Sequence, residues 1–397
     1  MTEQILRDIT VVDFSRYIAG PYCAALLSHL GADVIRVEKR GGSEDRHVSP
    51  LQEEGESVGA LYQQTGANKR SLTLDLKHEL AAPIVAKLVA SADVVVANMP
   101  PKALKRAGLD YETLCRIKPD IILTTQTGYG HAGPWADRGG FDGVGQAMSG
   151  AAYFGGLPGK PIKSAAPYAD FGTALYSAFA TLGALYEKRA SGIGQHVQAS
   201  LLGTALSLFN PLLAEHAVRD IVRTPSGVRG QSTAPSSIFK TSDGNVLIHV
   251  VGNGLFKRIA HVLGVPAWAD DPRYKNDELR GDASEEICDY VAKWCGERTT
   301  EQVLSEMNNA GVPCGPVLPI PEVLGHEQTQ AMGFFKDFNV PNVTKGIPIA
   351  DFPVSMSASD VGHKRRAPLI GEHNDEVLIE LGYEREEIEK LRAAQVI

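Results

Sequence analysis

The chain has 397 residues, 43% of them hydrophobic and 22% charged, with a formal net charge of −8; this length has room for two to three domains and a large buried core. The apolar content excludes intrinsic disorder, and the mildly acidic balance argues against a nucleic-acid partner, which would call for a basic domain or stripe. No apolar run reaches the roughly 20 residues of a membrane span, and five scattered cysteines without a CxxC pair exclude a disulfide framework and a structural zinc site.

The amino terminus, MTEQILRDITVVDF, shows no basic segment leading into an apolar one. No signal peptide is expected, and the protein reads as cytoplasmic with reduced thiols. Residues 10–14 (TVVDF) predict a strand. Gly20 and Pro21 open a helix, Pro being suited to a first turn, and Tyr22, Ala25, Leu26, His29 and Leu30 form its apolar-leaning stripe. Gly31 ends that helix, and residues 34–37 (VIRV) predict the next strand. Residues 94–97 (VVVA) and 121–125 (IILTT) predict two more, each after a helical segment. These runs are continuously apolar rather than alternating, the pattern of parallel strands buried on both faces. Repeated β-α-β units with right-handed crossovers imply an α/β fold with a doubly wound parallel sheet.

Residues 128–161 are rich in Gly and carry Pro134, Pro158 and Pro161, which predicts loops with one short helix near 145–149. A long helix is predicted over 170–189 and another, largely apolar, over 197–218. The polar stretch 220–236 reads as a linker. A hairpin follows, with strands at 237–241 and 246–251 around a turn at Asp243-Gly244. Helices come next near 255–263, 284–296 and 300–309, the last opened by a Thr299/Gln302 capping box. From 327 the chain is loop-rich up to a helix near 372–382. The expected divisions are therefore 1–220, a smaller α+β domain at 221–326, and 327–397.

Gly128-Tyr129-Gly130-His131-Ala132-Gly133 matches GxGxxG but is a decoy. A dinucleotide fingerprint needs a helix opening at its third Gly, and here Pro134 follows at once. The segment reads instead as a flexible loop at the carboxyl end of a strand, where it could cover a ligand. Eleven dispersed histidines without HExxH predict no metal site, and GxSxG is absent. The better candidate is Pro167-Tyr168-Ala169-Asp170-Phe171-Gly172-Thr173, where a carboxylate sits at the change from loop to long helix. Asp170 reads either as a helix N-cap or as a covalent nucleophile. In the second reading the helix N-terminus keeps it ionised and Gly172 leaves room for an acyl group. Arg36, Lys39, Arg40, Asn68-Lys69-Arg70, Lys77, Lys105 and Arg106 follow strand ends, where they serve either as phosphate contacts or as solvated surface charge.

A set of segments runs in one order along nearly the whole chain: Asp13-Phe14-Ser15-Arg16 to Ala19-Gly20-Pro21, Leu30-Gly31-Ala32-Asp33 to Glu38, Asn68-Lys69-Arg70-Ser71, Ala92-Asp93 to Asn98, Gly128-Tyr129-Gly130, Tyr168-Ala169-Asp170, Gly311-Val312-Pro313-Cys314-Gly315-Pro316-Val317 and Ala367-Pro368-Leu369-Ile370-Gly371-Glu372-His373. Together they resemble class III coenzyme A transferases, the family of formyl-CoA transferase and carnitine CoA-transferase. The resemblance implies a large Rossmann-like domain built from both chain ends, a smaller α+β domain between, and an interlocked homodimer. It implies that Asp170 attacks the thioester of an acyl-CoA, giving a mixed anhydride. CoA thiolate then returns to form an aspartyl-CoA thioester, which the acceptor carboxylate opens through a second anhydride. The partners implied are acyl-CoA and a small carboxylic acid, with neither a membrane nor nucleic acid. No permanently bound cofactor, ATP or metal is needed. Tyr17, Ile18 and Ala19 would flank the pantetheine arm, Lys39, Lys77 and Arg106 would meet phosphates, and Leu74, Asn98 and Met99 would surround the adenosine. Backbone N–H groups near Gly227 to Ser232 are expected to serve developing oxyanions.

Some positions depart from formyl-CoA transferase. Lys39 replaces an Arg and Ala107 a Met, and a Lys-x-Tyr pair is lost at Gly139 and Phe141, which argues against oxalate and formate. The alternative is an α-methylacyl-CoA racemase. That chemistry needs acid and base on opposite faces of the alpha carbon, and Phe141 stands where the racemases carry a His before Asp142. For the acceptor, Arg16, His47 or Arg229 could pair with the distal carboxylate of a dicarboxylic acid such as succinate, making succinyl-CoA a natural donor.

Overall fold

Continuous apolar runs become the inner strands of one parallel sheet. The computed structural model describes residues 4–51, 59–341 and 343–397. Its strands β1 (Thr10–Asp13), β2 (Asp33–Glu38), β3 (Arg70–Thr73), β4 (Val94–Ala97), β5 (Ile122–Thr127) and β6 (His196–Ser200) lie in the order β3-β2-β1-β4-β5-β6. Every pair is parallel, with Val11 opposite Val34 and Val94, and Thr125 opposite Gln198. This is the Rossmann order, which reverses direction between β1 and β4.

The strands alternate between two apolar layers. Val12, Ile35, Leu72, Val95 and Leu123 face one, and Val11, Val34, Val94, Val96 and Ile122 face the other. Helices α1 (Ala19–His29), α2 (Ala60–Gly66), α3 (Ala81–Ser91), α4 (Pro101–Arg106), α5 (Tyr111–Ile117) and α6 (Asp142–Met148) follow the strands. α7 (Ala151–Phe154) is one turn, α8 (Tyr168–Ser191) is the long helix, and α9 (Leu201–Arg219) contains Pro211. Ile84 and Leu88 of α3 pack on the first face of the sheet, and Leu27 of α1 and Leu185 of α8 on the second. Burying each such side chain stabilises by roughly 1.5–3 kcal/mol. Terminal helices Asn374–Glu380 and Arg385–Ala393 place Val377, Leu378, Ile388 and Leu391 in the first layer.

By contact the chain forms two compact units. The first comprises residues 1–149, 165–210 and 328–397, and the second 150–164 and 211–327. The sequence-based boundaries assign 150–164 and 211–220 to the large domain, whereas their contacts lie in the second unit. The second unit carries an antiparallel sheet of β7 (Ser236–Lys240), β8 (Asn245–His249) and β9 (Cys314–Pro316). Phe239, Val246 and Ile248 pack there against Phe256, Ile287, Val291, Val303 and Met307. The Thr299/Gln302 capping box is formed.

Three expectations need correction. Residues 197–200 are strand rather than helix, because the free edge of β5 pairs with them from Leu123–His196 to Thr127–Ser200. The stretch after 327 contains a hairpin, β10 (Phe335–Phe338) with β11 (Ile347–Ala350), closed over Val340, Ile347 and Ile349. Arg36, Lys69 and Arg70 are neither phosphate ligands nor surface charges. Arg36 is buried against Asp45, Lys69 donates to Asp13 at 2.8 Å, and Arg70 pairs with Asp33.

Candidate active site

In an open α/β sheet, ligands bind outside the carboxyl ends of the strands where the strand order reverses. Here that point lies between β1 and β4, and the loops leaving both are tied together. Asn98, just past β4, accepts the Arg16 N–H through Oδ1 at 2.9 Å and donates Nδ2–H to the Arg16 carbonyl at 2.6 Å. Next along, Tyr17 holds φ +66, a conformation that non-glycine residues seldom adopt. Its N–H donates to Asp45 Oδ2 at 3.1 Å, and Asp45 is itself clamped by the buried Arg36 Nη2 at 2.8 and 2.9 Å. Gly20 is required by space, since a Cβ there would stand 2.2 Å from Ser15 Cβ.

These loops wall a cavity of about 390 Å³ lined by Arg16, Tyr17, Ile18, Ala19, Asn98, Met99, Gln126, Arg138, Phe141 and Asp170, among others. A second cavity of about 530 Å³ is lined by Lys39, Leu74, Lys77 and Met99. Phe14, Arg16 and Met99 border both, so the two adjoin. Tyr17 and Phe141 meet edge to face at 5.2 Å between centroids. Lys39 Nζ donates to Glu44 at 2.5 Å, and Arg16 lies 3.5 Å from the same carboxylate. The Lys39 hydrogen bond, with Arg16 nearby, holds Glu44 below the usual carboxylate range.

Asp170 is the third residue of α8 and is 8% exposed. It is not the N-cap. That position falls to Pro167, and the orphan N–H groups of Ala169 and Asp170 donate instead to Asp142 Oδ1 at 2.8 and 3.3 Å. Asp142, at the start of α6, also accepts Gln146 Nε2 at 2.5 Å. Burial pushes the Asp170 carboxyl up to about 7, and the Asp142 charge adds to the rise, against a partial offset from a hydrogen bond with the Asp142 backbone. The helix end therefore does not by itself keep Asp170 ionised, as its position in sequence suggested. Gly172 serves packing, because a Cβ there would approach Thr204 Cγ2 to 2.9 Å.

Of the residues expected from sequence, Tyr17, Ile18, Ala19, Arg16, Asn98, Met99 and Asp170 come together in the first cavity, and Lys39, Leu74 and Lys77 in the second. Arg106 ends α4 exposed, His47 is exposed, and neither borders these cavities. Arg229 belongs to the second unit, where it donates to Ser284 Oγ at 2.6 Å. The N–H groups of Gly227 and Gly230 are already bonded there, to Gly156 O and Ser236 O. The GxGxxG loop is pinned through His131, whose Nε2 lies 2.8 Å from Thr125 Oγ1. Gly128 and Gly140 cross so closely that a Cβ on Gly128 would lie 3.0 Å from Gly140 Cα. Among the described residues, no group of three or more His, Cys, Asp or Glu could hold a metal ion.

The sequence model of CoA-transferase family III matches residues 6–374. The chain belongs to CoA-transferase family III. It is 33% identical to a succinate–glutarate CoA-transferase of Agrobacterium fabrum, over 95% of both chains. It is 30% identical to a succinyl-CoA–D-citramalate CoA-transferase of Chloroflexus aurantiacus, over 99% of this chain and 98% of the other. Among solved structures it resembles a CaiB/BaiF family protein from Brucella suis, 31% identical, with a TM-score of 0.82 over 96% of this chain and 100% of that one.

Sequence reasoning missed three residues in or beside the cavity of this CoA-transferase. Asp142 is adjacent to the Phe141 position compared with the racemases, but nothing local says that it caps a helix 26 residues on. Arg138 lies over the Trp135 ring at 4.2 Å and has no carboxylate partner among the described residues. Gln126 lies among Thr124, Thr125 and Thr127 in the buried strand β5, and an amide within that run of hydroxyls is the one signal that could have drawn attention to it.

Proposed function

We propose that the enzyme moves CoA from a dicarboxylyl-CoA, such as succinyl-CoA, to a second carboxylic acid through covalent intermediates on Asp170. The observation that carries this reading is the Asp170 carboxyl in a cavity adjoining one bordered by Lys39 and Lys77. That arrangement suits a thioester at one end and CoA phosphates at the other. Lysine is an adequate point charge for phosphate.

In the first step an Asp170 oxygen attacks the thioester carbon, the C–S bond breaks, and CoA leaves as thiolate. The thiolate then attacks the Asp170 carbonyl of the anhydride and expels the first acid as its carboxylate. The acceptor carboxylate attacks the aspartyl-CoA thioester and releases thiolate once more. Thiolate attacks the acceptor's carbonyl in the second anhydride, giving the new thioester and restoring Asp170. The reaction begins and ends with one thioester and one free carboxylate, so no external energy source enters. Only ionised Asp170 is a nucleophile, and its raised pKa makes a stronger nucleophile when ionised.

Arg138 and Arg16 border the same cavity, which favours an acid with a second carboxylate. The names of the two relatives, succinate–glutarate and succinyl-CoA–D-citramalate CoA-transferase, support the same substrate class. Phe141 borders the cavity where a racemase would need a base, and a phenyl ring carries no exchangeable proton. The working form in this reading is a homodimer. α8 leaves Phe179 77% and Tyr186 79% exposed, with Leu175 and Tyr176 beside them, an apolar face that a second copy would cover.

The test is intact-mass analysis after incubation with succinyl-CoA and no acceptor. A CoA adduct, localised to Asp170 by peptide mapping and absent from Asp170→Asn, is the expected result. An unmodified protein that still transfers CoA, or an adduct on another residue, would overturn the reading.

A further inference from the structure

Gln126 is the fifth residue of β5 and sits opposite Ala199 of β6. Side chains alternate along a strand, and two residues earlier Thr124 turns toward α8, where its hydroxyl meets Thr181 Oγ1 at 2.7 Å. Gln126 points to that same face. The first turn of α1 closes over it, since a Cβ on Gly20 would stand 3.2 Å from Gln126 Oε1. The side chain is 2% exposed and borders the Asp170 cavity. Both Oε1 and Nε2 are buried without a hydrogen-bond partner among the described residues. Buried amides are nearly always paired, because an unpaired one loses its water without recompense. An aliphatic side chain at this strand position would avoid that cost, so the amide's partner is to be sought in what enters the cavity.

A primary amide offers two N–H donors and one carbonyl acceptor in a fixed plane. A carboxylate alone can use the donors but leaves Oε1 unpaired. A plain alkyl chain uses neither. A carbon chain bearing a hydroxyl supplies a hydrogen to Oε1 and an oxygen to Nε2.

We propose that Gln126 is a specificity-determining residue that recognises a hydroxyl group on the carbon chain of the acceptor acid. This rests on the proposed transfer reaction and narrows its substrate class to hydroxy acids, most simply hydroxylated dicarboxylates. Pantetheine also contains amides that could meet Gln126. It is common to every CoA substrate, however, so that contact would alter all donors and acceptors alike.

The test uses the full-length enzyme with succinyl-CoA as donor and two matched acceptor pairs, 2-hydroxyglutarate with glutarate and malate with succinate, the last followed by isotope exchange. The wild type is expected to favour the hydroxylated member of at least one pair by about tenfold or more in kcat/KM, because the deoxy acid leaves the buried amide unpaired. In Gln126→Met, which is close in shape and cannot pair with a hydroxyl, that ratio is expected to fall toward one. The loss should come from the hydroxylated acid, with KM for succinyl-CoA within about twofold of wild type. A ratio near one in the wild type overturns the inference whether or not the variant folds. An unchanged ratio in Gln126→Met, or an equal loss with both acids and a raised KM for succinyl-CoA, also overturns it. Failure of the wild type to move CoA to any acid would instead strike the transfer reading itself, a result distinguishable from transfer without discrimination.

Discussion

Replacing Asp170 by Asn separates the catalytic role proposed for this carboxylate from what it does to the fold. Its pKa rises from 3.8 to about 7 on folding, chiefly through burial. The folded state therefore holds the proton more tightly than the unfolded state, and ionising Asp170 works against folding. The destabilisation begins as pH rises past about 4, grows up to about 7, and is level beyond that. At about 1.36 kcal/mol for each pKa unit, the rise of about 3 corresponds to about 4 kcal/mol at pH 8, and to roughly half of that near pH 5.5. Asparagine keeps nearly the same shape and carries no charge. Asp170→Asn should thus lose at least about 1,000-fold in turnover, since an amide cannot serve as the nucleophile, while becoming more stable. The assay is denaturant unfolding of both proteins near pH 5.5 and pH 8, with m-values compared to confirm that the same surface is exposed. The expected advantage of the variant is larger at pH 8 by about 2 kcal/mol. A variant less stable than wild type at pH 8, or an advantage that does not change with pH, would show that the site does not hold a strained carboxylate.

The same pKa implies that kcat/KM of the wild type falls as pH drops through about 7, and Asp142→Asn, which keeps an oxygen for the Ala169 N–H but removes the neighbouring charge, should move that limb to lower pH; an unmoved limb in the pH–rate profile would refute the coupling. Lys39→Ala should raise KM for acyl-CoA about tenfold, whereas Glu44→Gln, which releases Lys39 and Arg16 from a competing carboxylate, should lower it several-fold; steady-state kinetics at two salt concentrations would show both effects shrinking at high salt. Lys69→Met leaves Asp13 charged and buried and should cost about 3–5 kcal/mol in denaturant unfolding, with a near-normal midpoint counting against the buried pair. Phe179→Glu combined with Tyr186→Glu should halve the mass found by sedimentation, and an unchanged dimer, or a wild type already monomeric, would remove α8 from the interface.

How much was legible depended on how local each signal was. TVVDF, VIRV, VVVA and IILTT declare buried parallel strands because both faces of each must be apolar, and Thr299 with Gln302 declares a helix start within four residues. The strands RSLT and HVQAS were hidden. The first carries Arg70, which is buried only because Asp33, Glu376 and Glu380 meet it, and the second borrows its pairing from the edge of β5. The lysines at strand ends looked alike in sequence. Only packing sorted Lys69, enclosed by Asp13 and the Pro21 carbonyl, from Lys39 and Lys77 at the cavity wall.

The order of residues alone thus determined the α/β class and the family, and singled out the Asp170 segment as the candidate site, because hydrophobic periodicity and motif order are written along the chain. Tertiary structure decided that Asp142 caps α8 and raises the Asp170 pKa, that Arg138 and Gln126 reach the same cavity, and that Arg36 steadies Tyr17 through Asp45. Desolvation and charge coupling act through space over a few ångströms, between groups that lie tens of residues apart in the chain. Their strength is set only when folding excludes water and brings those groups together.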